Sequence, residues 1–184
     1  MRTIARSLLT GTLLVVATAV LADVTTVTFF AADSPPPAIA CGETWTESGV
    51  GMRFEPSLDD ACAGACTYYR AHNLPGNVVL APARLVIDAA TVAGMVISVE
   101  ADTQNPCGVG CTLLSVYDNG TLVASTSDVL GGPLETLSVA TGGNAITDIV
   151  VSSCGVVLHE VRISHEGPLP AANSTWGAVK ALYR

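Results

Sequence analysis

The sequence predicts an all-β protein: an antiparallel β-sandwich of jelly-roll type with disulfides and a short C-terminal tail. Three observations predict it. From Asn77 onward, short runs of Val, Ile, Leu and Thr recur at roughly ten-residue spacing between Gly, Pro, Asn and Asp, with no long run of helical period. Asn119-Gly120 stands between two apolar runs, and both residues tolerate the positive φ of a two-residue hairpin turn. Charged residues make up only 13% of the chain, and the abundant Thr and Ser suit the outer faces of sheets.

In chain order, residues 1–22 read as a secretory signal peptide. Arg2 and Arg6 precede an apolar run from Leu8 to Leu21, which closes on Val20-Leu21-Ala22. The alternative is a membrane anchor, but the run is shorter than the ~20 residues a spanning helix needs, and Asp23 follows at once. Residues 23–166 are expected to form the sandwich. Val24 to Phe30 is β-branched and aromatic, as strands are, and Ser34 to Ala40 with three prolines is a stiff connector. Within Glu43 to Glu55, the alternation of Val50, Met52 and Phe54 predicts another strand. Pro56 to Pro75 reads as irregular. Eight strands follow: Val78 to Leu80, Arg84 to Ile87, Gly94 to Val99, Thr112 to Tyr117, Thr121 to Thr126, Leu134 to Val139, Ala145 to Ser152 and Val156 to Ile163.

Loss of the leader removes two arginines and no acid, leaving 6 basic against 16 acidic residues and a formal charge of −10. The acids are scattered and Lys180 is the single lysine, so no nucleic acid partner is expected and anionic lipid headgroups are poor partners. After leader removal no membrane span is expected.

The six cysteines form an even set in an exported chain, where three bridges are the default. Cys62-Ala-Gly-Ala-Cys66 and Cys107-Gly-Val-Gly-Cys111 are short glycine-bearing pairs, so local bridges within each, leaving Cys41 to Cys154, is the expected pattern. A zinc site built from both pairs is the competing reading, disfavoured by the three-residue gaps and the oxidising compartment. Thioredoxin-type chemistry needs CxxC, which the chain lacks.

No catalytic constellation emerges. His159 and His165 are six apart rather than the four that a helical zinc motif needs, and on a strand they would sit ~20 Å apart; His72 has no evident partner. The chain has neither a Gly-x-Ser-x-Gly elbow nor a phosphate loop. Carboxylates at Glu43, Glu47, Glu55, Asp88, Glu100, Asp102 and Asp118 offer pairs for glycosidase chemistry, although exposed acids on strands and turns are the ordinary case. Asp59, Asp60 and Asp102, with Asn105, are candidate ligands for a structural calcium; no other cofactor is expected. Trp45, Tyr68 and Tyr69 are the candidate sugar platform, with a core role as the alternative.

The segment from Trp45 to Phe54, the hairpin from Leu114 to Ala124 and the late strands Ile146 to Val151 and Leu158 to Ile163 together resemble exported bacterial jelly-roll sandwiches found on surface proteins with C-terminal sorting or anchoring tags. The resemblance spans residues 24–165. It implies a jelly-roll fold, with carbohydrate or calcium as ligand in some members, and transfers no ligand residue.

Residues 167–173 read as a linker and 174–184 as a tail. Trp176, Gly177, Lys180, Leu182, Tyr183 and Arg184 resemble short Trp-Gly and Leu-Tyr-Arg sorting endings, and a terminal helix capped by Ser174 or Thr175 is the alternative. The functional expectation is a secreted or cell-surface, non-catalytic sandwich that binds carbohydrate or another envelope component. A small glycan-active hydrolase using a carboxylate pair and a structural envelope protein are the alternatives.

Overall fold

The computed structural model describes residues 22–29, 41–58, 64, 66–70, 78–81, 83–104 and 108–167. Residues 1–21 of the leader, the triple-proline connector and the tail lie outside them, as do Asp59, Asp60, Cys62, His72, Asn105 and Cys107; Ala22, expected as the last leader residue, opens the first strand. Among the described residues, twelve strands form two antiparallel sheets. They are β1 (Ala22–Val27), β2 (Thr44–Glu47), β3 (Val50–Glu55), β4 (Thr67–Arg70), β5 (Val78–Ala81), β6 (Ala83–Asp88), β7 (Val96–Gln104), β8 (Thr112–Asp118), β9 (Thr121–Ser127), β10 (Leu134–Ala140), β11 (Asp148–Ser153) and β12 (Val156–Glu166). The one helical element among the described residues is a 3-10 turn, Ala89–Thr91, capped by Asp88, whose carboxylate accepts the Ala90 N–H.

One sheet, here sheet A, runs β10-β7-β12-β5-β4, with β1 also on β12; the other, sheet B, runs β2-β3-β6-β11-β8-β9. Consecutive strands pair only as β2–β3, β4–β5 and β8–β9, so the chain otherwise crosses between layers, as a sandwich requires. The β2–β3 and β8–β9 hairpins turn on Ser48-Gly49 (φ 53° and 79°) and Asn119-Gly120 (φ 47° and 81°). Positive φ at both turn residues matches the twist of the flanking strands.

Strand alternation decides what is buried. On β3, Val50, Met52 and Phe54 point inward while Arg53 and Glu55 point out. On β8, Leu114 and Val116 enter the core, and on β11 Ile149 and Val151 do. From sheet A come Val99 and Ala101 of β7 and Leu158, Val161 and Ile163 of β12. Each of these side chains other than Ala101 contributes roughly 1.5–3 kcal/mol on full burial.

All eight strands expected from Val78 onward are present. β7 runs five residues further than the sequence indicated, to Gln104, because its inward positions there are the small Ala101 and the polar Thr103. The segment read as irregular contains β4, which pairs with β5.

The cysteine pairing differs from expectation. Cys41 is bonded to Cys66, with Cα atoms 6.0 Å apart. Cys111 is a free, half-buried thiol, while Cys154 is disulfide-bonded. This replaces the expected Cys62–Cys66, Cys107–Cys111 and Cys41–Cys154 bridges. Cys41 precedes β2 and Cys66 precedes β4, so the bridge ties an edge strand of sheet B to an edge strand of sheet A. That inter-sheet link closes a longer loop than either local bridge would.

Candidate functional site

Of the proposed sugar platform, Trp45 faces inward. It pairs with inward-facing Met52, packs on Phe54 with ring centroids 4.8 Å apart, and buries its indole nitrogen without a hydrogen-bond partner. Tyr68 and Tyr69 lie on β4 at the sheet A edge, and their side chains are outside the described set. The platform is therefore not assembled around Trp45.

The two histidines are not brought together either. His165 is buried at the end of β12, with Nε2 2.9 Å from Thr25 Oγ1 and Nδ1 3.2 Å from the Glu166 carbonyl oxygen. His159 falls at a register shift between Leu158 and Glu160, the extra residue of a β-bulge.

The outer face of sheet A is organised around Arg162. Its guanidinium donates to both oxygens of Asp102 (2.7 and 3.0 Å), to Glu100 at 3.0 Å and to Glu160. Asp102 also accepts from Thr136 Oγ1 at 2.6 Å. Hydrogen bonding from Arg162 holds the Asp102 carboxyl below the ordinary carboxylate range, against the opposing effect of burial. A glycosidase proton donor needs the opposite shift. Asp102, a candidate calcium ligand, accepts from Arg162 through both oxygens and from Thr136 through one of them, while Asp59, Asp60 and Asn105 lie outside the described residues. Among the described residues no group of three or more His, Cys, Asp or Glu side chains is placed to hold a metal ion.

The outer face of sheet B differs. Register and alternation put three rows side by side there: Gly51, Asp88, Asp148, Tyr117 and Leu122; Arg53, Val86, Val150, Ser115 and Ser125; Glu55, Arg84, Ser152, Leu113 and Ser127. Arg53 reaches over β6, donating through Nη2 to Asp148 at 3.2 Å and through Nε to Glu55 at 2.7 Å. Glu55 takes a second donor, Arg84, at 3.1 Å. Partial burial works against the Arg53 charge, but Glu55 and Asp148 outweigh it and raise its pKa. This lattice fixes one half of the face. The other half carries Tyr117, partly buried, with Leu122 (53% exposed) beside it in the same row; the Ser125 hydroxyl is one row away, and Leu113 (38% exposed), Ser127 and Ser152 form the third row. The Ser115 hydroxyl is buried in the middle row without a hydrogen-bond partner. Sequence reasoning missed Tyr117, although its parity with Leu113 and against Leu114 and Val116 was the available signal.

No family model and no curated protein matches the chain. Among solved structures it is similar to a family 29 carbohydrate-binding module at 11% identity, over 83% of this chain and 99% of that one, with a TM-score of 0.46. It is also similar to a family 29 module mutant complexed with mannohexaose, at 13% identity, over 79% and 93% of the two chains, with a TM-score of 0.46.

Proposed function

We propose that this is an exported, non-catalytic carbohydrate-binding β-sandwich, and that the outer face of sheet B receives the glycan. Tyr117 carries the reading: a partly buried aromatic ring on a sheet face, with exposed Leu122 on one side and Asp148, fixed by Arg53, on the other. A sugar ring has the complementary chemistry, with an apolar C–H face that covers an aromatic or aliphatic surface and an equatorial rim of hydroxyls that bond carboxylates, guanidinium and serines. The Arg53–Asp148 and Arg84–Glu55 pairs fix those polar groups before a ligand arrives, which lowers the ordering cost of binding. Export is supported by the leader-like residues 1–22 and by disulfide bonding at Cys41, Cys66 and Cys154.

The test is retention of the protein lacking residues 1–22 on a panel of soluble polysaccharides in affinity gels, with Tyr117→Ala alongside. Retardation by at least one polysaccharide, lost in Tyr117→Ala at unchanged melting temperature, is the expected result. No retardation by any polysaccharide, or identical retardation of the variant, overturns the reading.

A further inference from the structure

A free thiol and a disulfide sulfur occupy opposed positions where the chain crosses between the sheets. Residues 105–111 carry it from β7 of sheet A to β8 of sheet B, and residues 154–155 return it from β11 of sheet B to β12 of sheet A. β8 and β11 are neighbours in one sheet, as β7 and β12 are in the other, so the two crossings leave and rejoin the same pairs of strands.

The β8–β11 ladder runs from Tyr117–Asp148 to Thr112–Ser153. One step further in the same register, Cys111 stands opposite Cys154. Opposed Cα atoms of an antiparallel pair lie roughly 4.5–5.5 Å apart with their side chains on one side, inside the ~4.4–6.8 Å span of a disulfide. The backbone on either flank is fixed. Thr112 N–H donates to the buried Asp128 carboxylate at 2.6 Å, and the Thr112 carbonyl accepts the Asp128 N–H at 3.1 Å. Across from it, Gly155 N–H donates to Ser153 Oγ at 3.0 Å and closes the turn that holds Cys154.

The two sulfurs are in different states. Cys154 is disulfide-bonded, whereas Cys111 is a free thiol. Because Cys41 and Cys66 are bonded to each other, the partner of Cys154 is by elimination Cys62 or Cys107, both outside the described residues. Cys111 and Cys154 are each half-buried, so neither sulfur is sealed in the apolar core, where a thiol would be inert. Cys111 by itself would be an unpaired cysteine; the disulfide across the register gives it a reaction partner.

We infer that Cys111 and Cys154 form a thiol–disulfide exchange site. The Cys111 thiolate attacks Cys154 Sγ, and the Cys111–Cys154 bond forms as the bond from Cys154 to its resting partner breaks. That partner leaves as a thiolate and takes up the proton that Cys111 released. One S–S bond is made and one is broken, so no oxidant or reductant is consumed. The protein thereby has two bridged forms: Cys154 tied to its resting partner, or the ends of β8 and β11 tied to each other across sheet B.

The experiment maps bridges in the oxidised chain lacking residues 1–22, incubated at mildly alkaline pH without reductant, alkylated with excess iodoacetamide and digested without reduction. Two forms of Cys154 are expected. In one it is linked to Cys62 or Cys107 and Cys111 is alkylated; in the other it is linked to Cys111 and the displaced cysteine is alkylated. In Cys111→Ser the second form is lost, and alkylation of the resting partner falls at least about tenfold. Cys111 carries no bridge at rest, so the variant removes none; melting temperature confirms its folding, and Cys111→Ala repeats the test. Cys154 found on a single partner with Cys111 fully alkylated overturns the proposal. So does resting-partner alkylation unchanged in Cys111→Ser, which would assign the exchange to unfolding or to another thiol, and so does a Cys111 that is never alkylated because it is already bridged elsewhere.

Discussion

Arg162 on β12 grips Asp102 on β7 with both terminal nitrogens, Nη1 to Oδ2 at 2.7 Å and Nη2 to Oδ1 at 3.0 Å. The same guanidinium serves Glu100 and Glu160, so one cation offsets three acids on the outer face of sheet A. Arg162→Met leaves those carboxylates facing one another and is expected to cost about 1–3 kcal/mol near neutral pH in urea unfolding. The sign with pH follows from Asp102, whose folded-state pKa is depressed. Its contribution is present above the ordinary carboxylate range and is lost as pH falls through the depressed folded value. The stability gap between wild type and Arg162→Met therefore narrows in acid. A gap independent of pH would assign the effect to lost packing of the arginine stem.

The Cys41–Cys66 bridge spans 25 residues of sequence and joins an edge of each sheet. On chain-entropy grounds its removal by Cys41→Ser/Cys66→Ser is expected to cost about 3.5 kcal/mol. Peptide mapping without reduction should recover residues 41 and 66 in one cross-linked fragment, and iodoacetamide should modify Cys111 in the oxidised protein. A Cys62–Cys66 fragment would contradict the pairing.

The β8–β9 hairpin depends on Gly120, at φ 81°, where a side chain is strained even in open space. Gly120→Ala is expected to destabilise by about 1 kcal/mol in thermal or urea unfolding, with the fold retained. An unchanged midpoint would mean the turn contributes nothing that the paired strands do not already supply.

The strands from Val78 onward were legible because alternation and turn residues agree locally, as at Leu114, Val116 and Asn119-Gly120. The cysteine pairing was not, because it depends on which loops the two sheets bring together, and spacing within CxxxC carries no information about that. Trp45 lies between these cases. With Ser48-Gly49 recognised as a two-residue turn, Trp45 must oppose Met52 and share its face, and Met52 already belonged to the inward set with Val50 and Phe54. The sequence contained that parity, but the alternation of Val50, Met52 and Phe54 predicts one strand within Glu43 to Glu55 and not its hairpin partner Thr44–Glu47. The Arg162 cluster was beyond reach for another reason. Glu100, Asp102 and Glu160 are separated by up to 60 residues and meet only through the β7–β12 register.

The opposite orientations of Trp45 and Tyr117 give two separable phenotypes. Trp45 is partly buried and packed on Phe54 against the core, so Trp45→Ala removes the inward-facing part of a large ring; a loss of about 2 kcal/mol in urea unfolding is expected. Tyr117 is partly buried on the outer face of sheet B and outside the core cluster, so Tyr117→Ala should cost less, about 1 kcal/mol. In polysaccharide affinity gels the order should invert. Trp45→Ala protein that remains folded at the assay temperature should be retarded like wild type, because no atom of the outer face has changed, whereas Tyr117→Ala should migrate freely. The two substitutions sit on different strands and on opposite faces of one sheet, so their stability effects should add in the double variant. Retardation lost in Trp45→Ala but kept in Tyr117→Ala would place the ligand at the β2 edge of the sandwich and remove it from the face described here.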